Sequence, residues 1–312
     1  RRRSPLRFRS KIKMTRQIAV GLGLTGIILF STKAIFAKLA YQYGADAISL
    51  LLLRMVFSLP FYLFFALYRN QEKITASKND YLWVLLFGFL GYYLASYFDF
   101  KGLEYIKASL ERLILFTYPT FVILLSFIFF KIKISSYQLF AILITYLGIC
   151  IVFLPEIEIS DPSTILKGSL LVLLSAVTYA SYIFGSGWLI PKFGARRFTS
   201  YVMIVSSVLI IFQFMVESKM STNVLIFPKE VYIYGLLIAL FSTVIPSFLI
   251  SYAIKELGAN QFSIFGSIGP ISTVLLAYLF LEERLSSLQI IGSLVVMMGV
   301  FAAKYFKRNP KT

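Results

Sequence analysis

The sequence predicts an all-α integral membrane protein of about ten transmembrane helices, arranged as two inverted five-helix repeats. Three observations predict it. The composition is that of a chain dissolved in lipid, about ten apolar runs approach membrane-spanning length, and the sequence resembles itself at a shift of about 151 residues.

Of 312 residues, 58% are apolar and only 14% charged, and the mean hydropathy is +0.80. A soluble domain carries roughly 25% charged residues. There is no histidine and a single cysteine, Cys150. That removes Ser/His and Cys/His nucleophile pairs, imidazole metal sites and an internal disulfide. No cofactor and no metal are expected, and the chain does not read as an enzyme.

The apolar runs lie near 18–40, 46–68, 81–100, 108–130, 136–154, 166–190, 198–216, 231–254, 261–281 and 286–305. Most reach the roughly 20 residues that a helix needs to cross about 30 Å of hydrocarbon. Their continuity, rather than a period-two alternation, specifies helices and not a barrel. Short loops carrying Pro, Gly, Asn and charge separate them, such as Arg69–Asp80 and Pro155–Lys167. With the N-terminus cytoplasmic, about 21 of the 31 Lys and Arg fall on the inner side and about 6 on the outer. The positive-inside rule therefore places both termini in the cytoplasm of a multi-pass protein, in the plasma (bacterial inner) membrane. That bias, not nucleic acid, accounts for the net charge of +17. The basic tail Arg1–Arg16 reads as an orientation signal on anionic headgroups. An organelle transit segment and a start at Met14 are its alternatives.

The two halves align over some 60 residues. Tyr118-Pro119-Thr120 through Ser135-Ser136-Tyr137-Gln138 meets Gly269-Pro270-Ile271 through Ser286-Ser287-Leu288-Gln289. Gly148 meets Gly299, and Tyr43-Gly44-Ala45 meets Phe193-Gly194-Ala195 at a shift of 150. Five helices per repeat is an odd number, so the second copy must be inverted, as in many secondary transporters. The organisation is a basic tail 1–17, a first repeat 18–154, a second repeat 166–305 and a tail 306–312.

Particular residues also resemble a known family. Phe30-Ser31-Thr32-Lys33 through Lys38-Leu39-Ala40, with Arg54 in the second helix, is similar to the opening of an EamA domain of the drug/metabolite transporter superfamily. The prolines Pro119 and Pro270 fit, and so does Leu281-Glu282-Glu283-Arg284-Leu285-Ser286 with Gly292 and Gly299 seven apart. Lys33 is an addition to the family's small-polar helix start, and the acidic position of the first repeat is Ile132 between Lys131 and Lys133. The resemblance implies two tandem domains and a transporter with a central cavity, without naming a substrate.

Charge within a span is costly and is read as functional by default. Lys33, Arg54, Asp99, Glu111 and Arg112 are predicted at similar depth in the outer half of the bilayer, all in the first repeat. The functional reading gives Lys33 and Arg54 to a substrate carboxylate or phosphate. The structural reading pairs Arg54 with Asp99 or Glu111, while Lys33 has fewer obvious fixed partners. Lys38 is close enough to the surface to snorkel.

Tyr93, Ser96, Tyr97 and Phe100 share one face of the third helix, and Ser175, Thr178 or Tyr179, Tyr182 and Ser186 one face of the sixth. Ser242, Pro246 and Ser251 in the eighth helix, and Ser263, Ser267 and Thr273 in the ninth, extend a polar path. The substrate-binding set is therefore Lys33, Arg54, Tyr93, Tyr97, Asp99, Glu111, Arg112, Tyr179, Tyr182 and Ser267. Pro119 and Pro270, with Gly269 and Gly266, form a paired hinge. The expected activity is alternating-access movement of a small polar or anionic metabolite, amino-acid-like or nucleotide-like. The surplus of cations around Asp99 and Glu111 favours facilitated diffusion or exchange. The alternatives are a proton-coupled drug or metabolite exporter and a non-transporting structural membrane protein. The expected partners are the small-molecule substrate and the lipid bilayer, for a monomer or homodimer.

Overall fold

A computed structural model describes residues 16–68, 74–131, 134–159, 161–218, 226–259, 262 and 268–305. Ten helices cover these residues: α1 (Arg16–Gln42), α2 (Ala47–Leu67), α3 (Lys78–Leu103), α4 (Ala108–Phe130), α5 (Ser136–Ile159), α6 (Pro162–Phe193), α7 (Ala195–Glu217), α8 (Lys229–Leu257), α9 (Ile268–Leu281) and α10 (Ser287–Tyr305). Eight are long and apolar enough to span a membrane, and α9 and α10 carry shorter apolar stretches. The two tails, Ser263, Gly266 and Ser267 lie outside the described residues.

Local chemistry sets where the helices begin. Asp46 accepts the Ser49 amide at the start of α2. Asp161 caps α6, with Pro162 in its first turn, so α6 starts at 162 rather than 166. Hydrogen bonds from Ser163 and Thr164 hold the Asp161 carboxyl down at about 2. Ser77 and Asp80 form a capping box at α3.

The repeat that the sequence suggests is written into the backbone. The turns Phe89–Leu94 in α3 and Leu240–Val244 in α8 are both π-helical, at a shift of 151. Lys131 and Glu282, at the same shift, end α4 and α9 at φ of 53° and 57°. Gly44 and Gly194 both adopt left-handed φ, 84° and 80°, which glycine enters without a Cβ clash. Ser135/Gln138 and Ser286/Gln289 make identical reciprocal capping bonds, 2.9 and 3.2 Å in each copy.

Helix packing obeys the same twofold. α1 packs on α8 and α9, and its counterpart α6 packs on α3 and α4. α2 meets α8 as α7 meets α3, while α2·α7 and α5·α10 pair with their own counterparts. Small residues let α5 and α10 approach. A Cβ on Gly148 would lie 2.5 Å from the Val296 nitrogen, and one on Gly299 would lie 2.7 Å from the Thr145 nitrogen. Val296 is itself the repeat counterpart of Thr145, so these are one contact seen twice.

Contacts at the helix ends fix two faces. At the face where α1 begins, Lys192 pairs with Asp80 at 2.6 Å and Arg196 donates to the Tyr68 carbonyl. At the opposite face, where α1 ends, Glu104 accepts the Ala47 amide and Glu283 caps α4. Helix ends therefore meet as strictly alternating spans require.

Pro119 has a different setting from the one the sequence suggests. α4 is interrupted at Phe116–Thr117, and Pro119 sits in the first turn of its second segment, Tyr118–Phe130. A proline there removes no helical hydrogen bond, because first-turn amides have no partner within the helix. Pro270 is the third residue of α9, next to Gly269. Pro119 thus sits at the start of the second segment of α4, while the residues immediately before Ile268 in α9 lie outside the described residues.

Candidate functional site

Five charged side chains meet where α1 to α4 of the first repeat close against α8 and α9 of the second. Lys33, Arg54, Asp99, Glu111 and Arg112 are all at least 95% buried. The expected cluster therefore exists, but its pairing differs from the sequence expectation. Lys33 is not free: its ammonium contacts Asp99 Oδ2 and lies 3.8 Å from Glu111 Oε1. Arg54 does not pair with either carboxylate. Its Nε donates to Thr243 Oγ1 at 2.8 Å and its Nη1 to Ser96 Oγ at 2.9 Å.

Arg112 is held in the same manner. Its Nε donates to Thr273 Oγ1 at 2.8 Å and its Nη2 to Ser31 Oγ at 2.9 Å. Each arginine thus takes a threonine from the second repeat and a serine from the first. Neither has a carboxylate oxygen within 4 Å among the described residues. A guanidinium has five N–H donors, so each keeps donors beyond the two in use. Asp99 Oδ1 and both oxygens of Glu111 are buried and accept no hydrogen bond.

Aromatic rings make up the rest of the site. Phe30 lies under both Lys33, at 4.8 Å, and Arg112, at 5.3 Å, and stacks on Tyr179 at 6.1 Å. Phe100 lies 5.5 Å from the Arg54 guanidinium carbon. Phe30, Leu115 and Tyr179 separate two cavities of about 20 and 30 Å³. The smaller is lined by Lys33, Arg54, Ser96 and Asp99, the larger by Arg112, Tyr118, Gly269 and Pro270. Each has room for about one water.

Sequence periodicity assigned the tyrosines only in part. Tyr179 lines both cavities. Tyr182 does not reach them: it packs on Tyr92 and Phe198, and its hydroxyl is 3.4 Å from Ser251. Tyr93 and Tyr97 stand half-buried on the flank of α3, with Tyr97 packed on Ile48, Leu52 and Phe214. The inward stripe of α3 is Tyr92, Ser96 and Asp99, one residue or about 100° around the helix. Both faces have helical period, so the period alone does not select between them. Thr243, Ser31, Phe30 and Tyr118 were also missed. Ser31 and Phe30 adjoin Lys33, and Thr243 stands at the repeat counterpart of Tyr92, which is the one signal the sequence held. Ser267 lies outside the described residues.

A family model for the EamA-like transporter family matches residues 17–154 and 166–304. The chain is 32% identical over 289 residues to YcbK of Bacillus subtilis (strain 168), named as an uncharacterized transporter, covering 91% of this chain and 92% of that protein. It is 28% identical over 240 residues to an uncharacterized transporter of Methanothermobacter thermautotrophicus, covering 75% and 67%. A crystal structure with 15% sequence identity superposes with a TM-score of 0.66, over 96% of this chain and all of that one. That likeness concerns the fold alone.

Proposed function

The chain belongs to the EamA-like transporter family, and from that premise we propose that it moves a small polar or anionic metabolite, amino-acid-like or nucleotide-like, by alternating access. The observation that supports the anionic class is the pair Arg54 and Arg112, two buried guanidiniums whose hydrogen-bond partners among the described residues are hydroxyls. Buried charge in a membrane is costly unless compensated. Lys33 already has Asp99 beside it and Glu111 close by. Three cations thus face two carboxylates, and a bound monoanion would bring the cluster to neutrality. A carboxylate or phosphate oxygen on the unused N–H donors would add charge-assisted bonds.

In this reading Lys33 orients Asp99 and Glu111, and Arg112 and Arg54 are the groups that touch substrate. Parting Phe30 from Tyr179 would merge the two small cavities into one chamber. The face where α1 begins is cytoplasmic on the Lys and Arg bias, in a plasma (bacterial inner) membrane, and the protein acts as monomer or homodimer. The same surplus of cations supports facilitated diffusion or exchange.

Glu111 favours a second reading, proton coupling, because its buried oxygens accept no hydrogen bond and a proton would satisfy one of them. Uptake into proteoliposomes under an imposed pH gradient separates the two. Accumulation that follows the gradient and is lost in Glu111→Gln supports coupling. Accumulation indifferent to the gradient supports diffusion or exchange.

A further inference from the structure

A larger cavity lies at the face where α1 ends, beyond the charged site. It measures about 580 Å³, within the range of small-molecule sites. Lys38, Tyr41 and Gln42 line it from α1, at a spacing that puts all three on one face of the helix. Asp46 of the α1–α2 turn, with Lys101 and Glu104 at the end of α3, completes its charged wall.

Three of those four charges are engaged within the protein. Asp46 accepts the Ser49 amide at the start of α2. Glu104 accepts the Ala47 amide with one oxygen and pairs with Lys101 at 2.6 Å through the other. Lys38 has neither a hydrogen bond nor an ion pair among the described residues. Glu283 acts on Lys38 through space, while its own oxygens accept the Ala108 and Ser109 amides at 2.9 and 3.0 Å. The half-buried Lys38 thus presents the one uncommitted charge of this wall, with its stem packed along the helices and its ammonium at the cavity.

One residue borders both this cavity and the charged site. The Tyr41 hydroxyl donates to the Phe100 carbonyl at 2.8 Å. The fully buried Phe100 ring lies 5.9 Å from the Lys33 ammonium and 5.5 Å from the Arg54 guanidinium carbon. Lys38 is five residues beyond Lys33, about 7.5 Å along the helix axis. We propose that the cavity is an entry subsite for the anionic group of the substrate. A carboxylate or phosphate rests on the Lys38 ammonium there, then passes Tyr41 and Phe100 to reach Arg54. The proposal rests on the anion-transport reading and adds a first binding step to it. A cation without an acid beside it, in a cavity with low-dielectric walls, raises the local concentration of small anions.

The test uses the full-length protein in liposomes with Cys150→Ser, and Gln42→Cys as a reporter in the cavity wall. Two impermeant methanethiosulfonates are compared, one carrying a sulfonate and one a trimethylammonium group, each corrected for its rate with a free thiol. Their reaction also identifies the side on which the cavity lies. The preference for the sulfonate should fall about fivefold in Lys38→Gln, the upper range for a partly exposed ion pair, and persist in Lys38→Arg. Influx of labelled small carboxylates and phosphates is then measured from each side. Lys38→Gln should raise the KM about fivefold from the cavity's side, with the shift confined to that side and to KM rather than kcat. An unchanged reagent preference in Lys38→Gln, or a KM that shifts equally from both sides, overturns the entry subsite. A parent protein that moves no carboxylate or phosphate from either side overturns the anion-transport reading, and the entry role with it.

Discussion

Lys33 and Asp99 are joined across the α1–α3 interface by a buried ion pair, and among the described residues no carboxylate oxygen lies within 4 Å of the arginines on either side of that pair. The lysine, the most conspicuous charge in the sequence, is therefore paired within the protein, and on the proposed function the guanidiniums are the groups that meet the ligand.

Breaking this pair from one side leaves an uncompensated buried charge, at a cost of roughly 3–5 kcal/mol. Lys33→Met or Asp99→Asn alone should lower the melting temperature of the detergent-purified protein strongly. The double variant should recover part of the loss, because neither member of the pair is then left facing its missing partner, although Glu111 loses the nearby ammonium. Additive losses in the double variant would show that the two residues act separately.

Arg112 is predicted to bind the anionic group through a planar fork that lysine does not reproduce. Arg112→Lys keeps the charge but loses the Nε bond to Thr273, and should raise the apparent KM by about tenfold with near-normal protein levels. Equal KM for the two proteins would remove Arg112 from the substrate site.

The α5–α10 contact depends on the absence of a side chain at Gly148, where even a Cβ meets backbone. Gly148→Leu should push the helices apart and destabilise the protein by at least the roughly 1–3 kcal/mol typical of overpacking. The check is thermal unfolding in detergent. Gly21, which has open space around it, serves as the control and should accept alanine without loss.

The break in α4 at Phe116–Thr117 just precedes Pro119. Pro119→Ala supplies an N–H that lets the two segments run on as one helix, which should slow turnover more than it changes KM. Turnover at the native rate would mean that Pro119 only marks the helix start.

The alternating spans and the Lys and Arg bias together predict topology. Cysteine at Gly44 or Pro162 should react with an impermeant reagent in intact cells. Cysteine at Asn79 or Arg196 should react only after lysis, and reaction at Asn79 in intact cells reverses the orientation.

The fold was legible because membrane spans need long apolar runs and because caps recur. Ser135/Gln138 and Ser286/Gln289 aligned in the sequence for the reason that they cap equivalent helices. That the five charges lie at one level of the bundle was legible too, since α1 to α4 alternate in direction. Its pairing was not. Whether Lys33 or Arg54 takes Asp99 depends on the rotation of each helix about its axis, which packing against the second repeat decides. The same rotation brought Tyr92 inward and left Tyr93 and Tyr97 on the flank, and α-helical period does not distinguish positions one residue apart.

The central claim, an anion transporter whose substrate sits on Arg54 and Arg112, is tested most directly by flux in proteoliposomes loaded with a labelled panel of small carboxylates, phosphates, zwitterions and amines. The account predicts saturable flux of at least one anionic or zwitterionic compound, competed by other monoanions and lost in Arg112→Gln. Saturable flux confined to amines, undiminished in Arg54→Gln and Arg112→Gln, would contradict it.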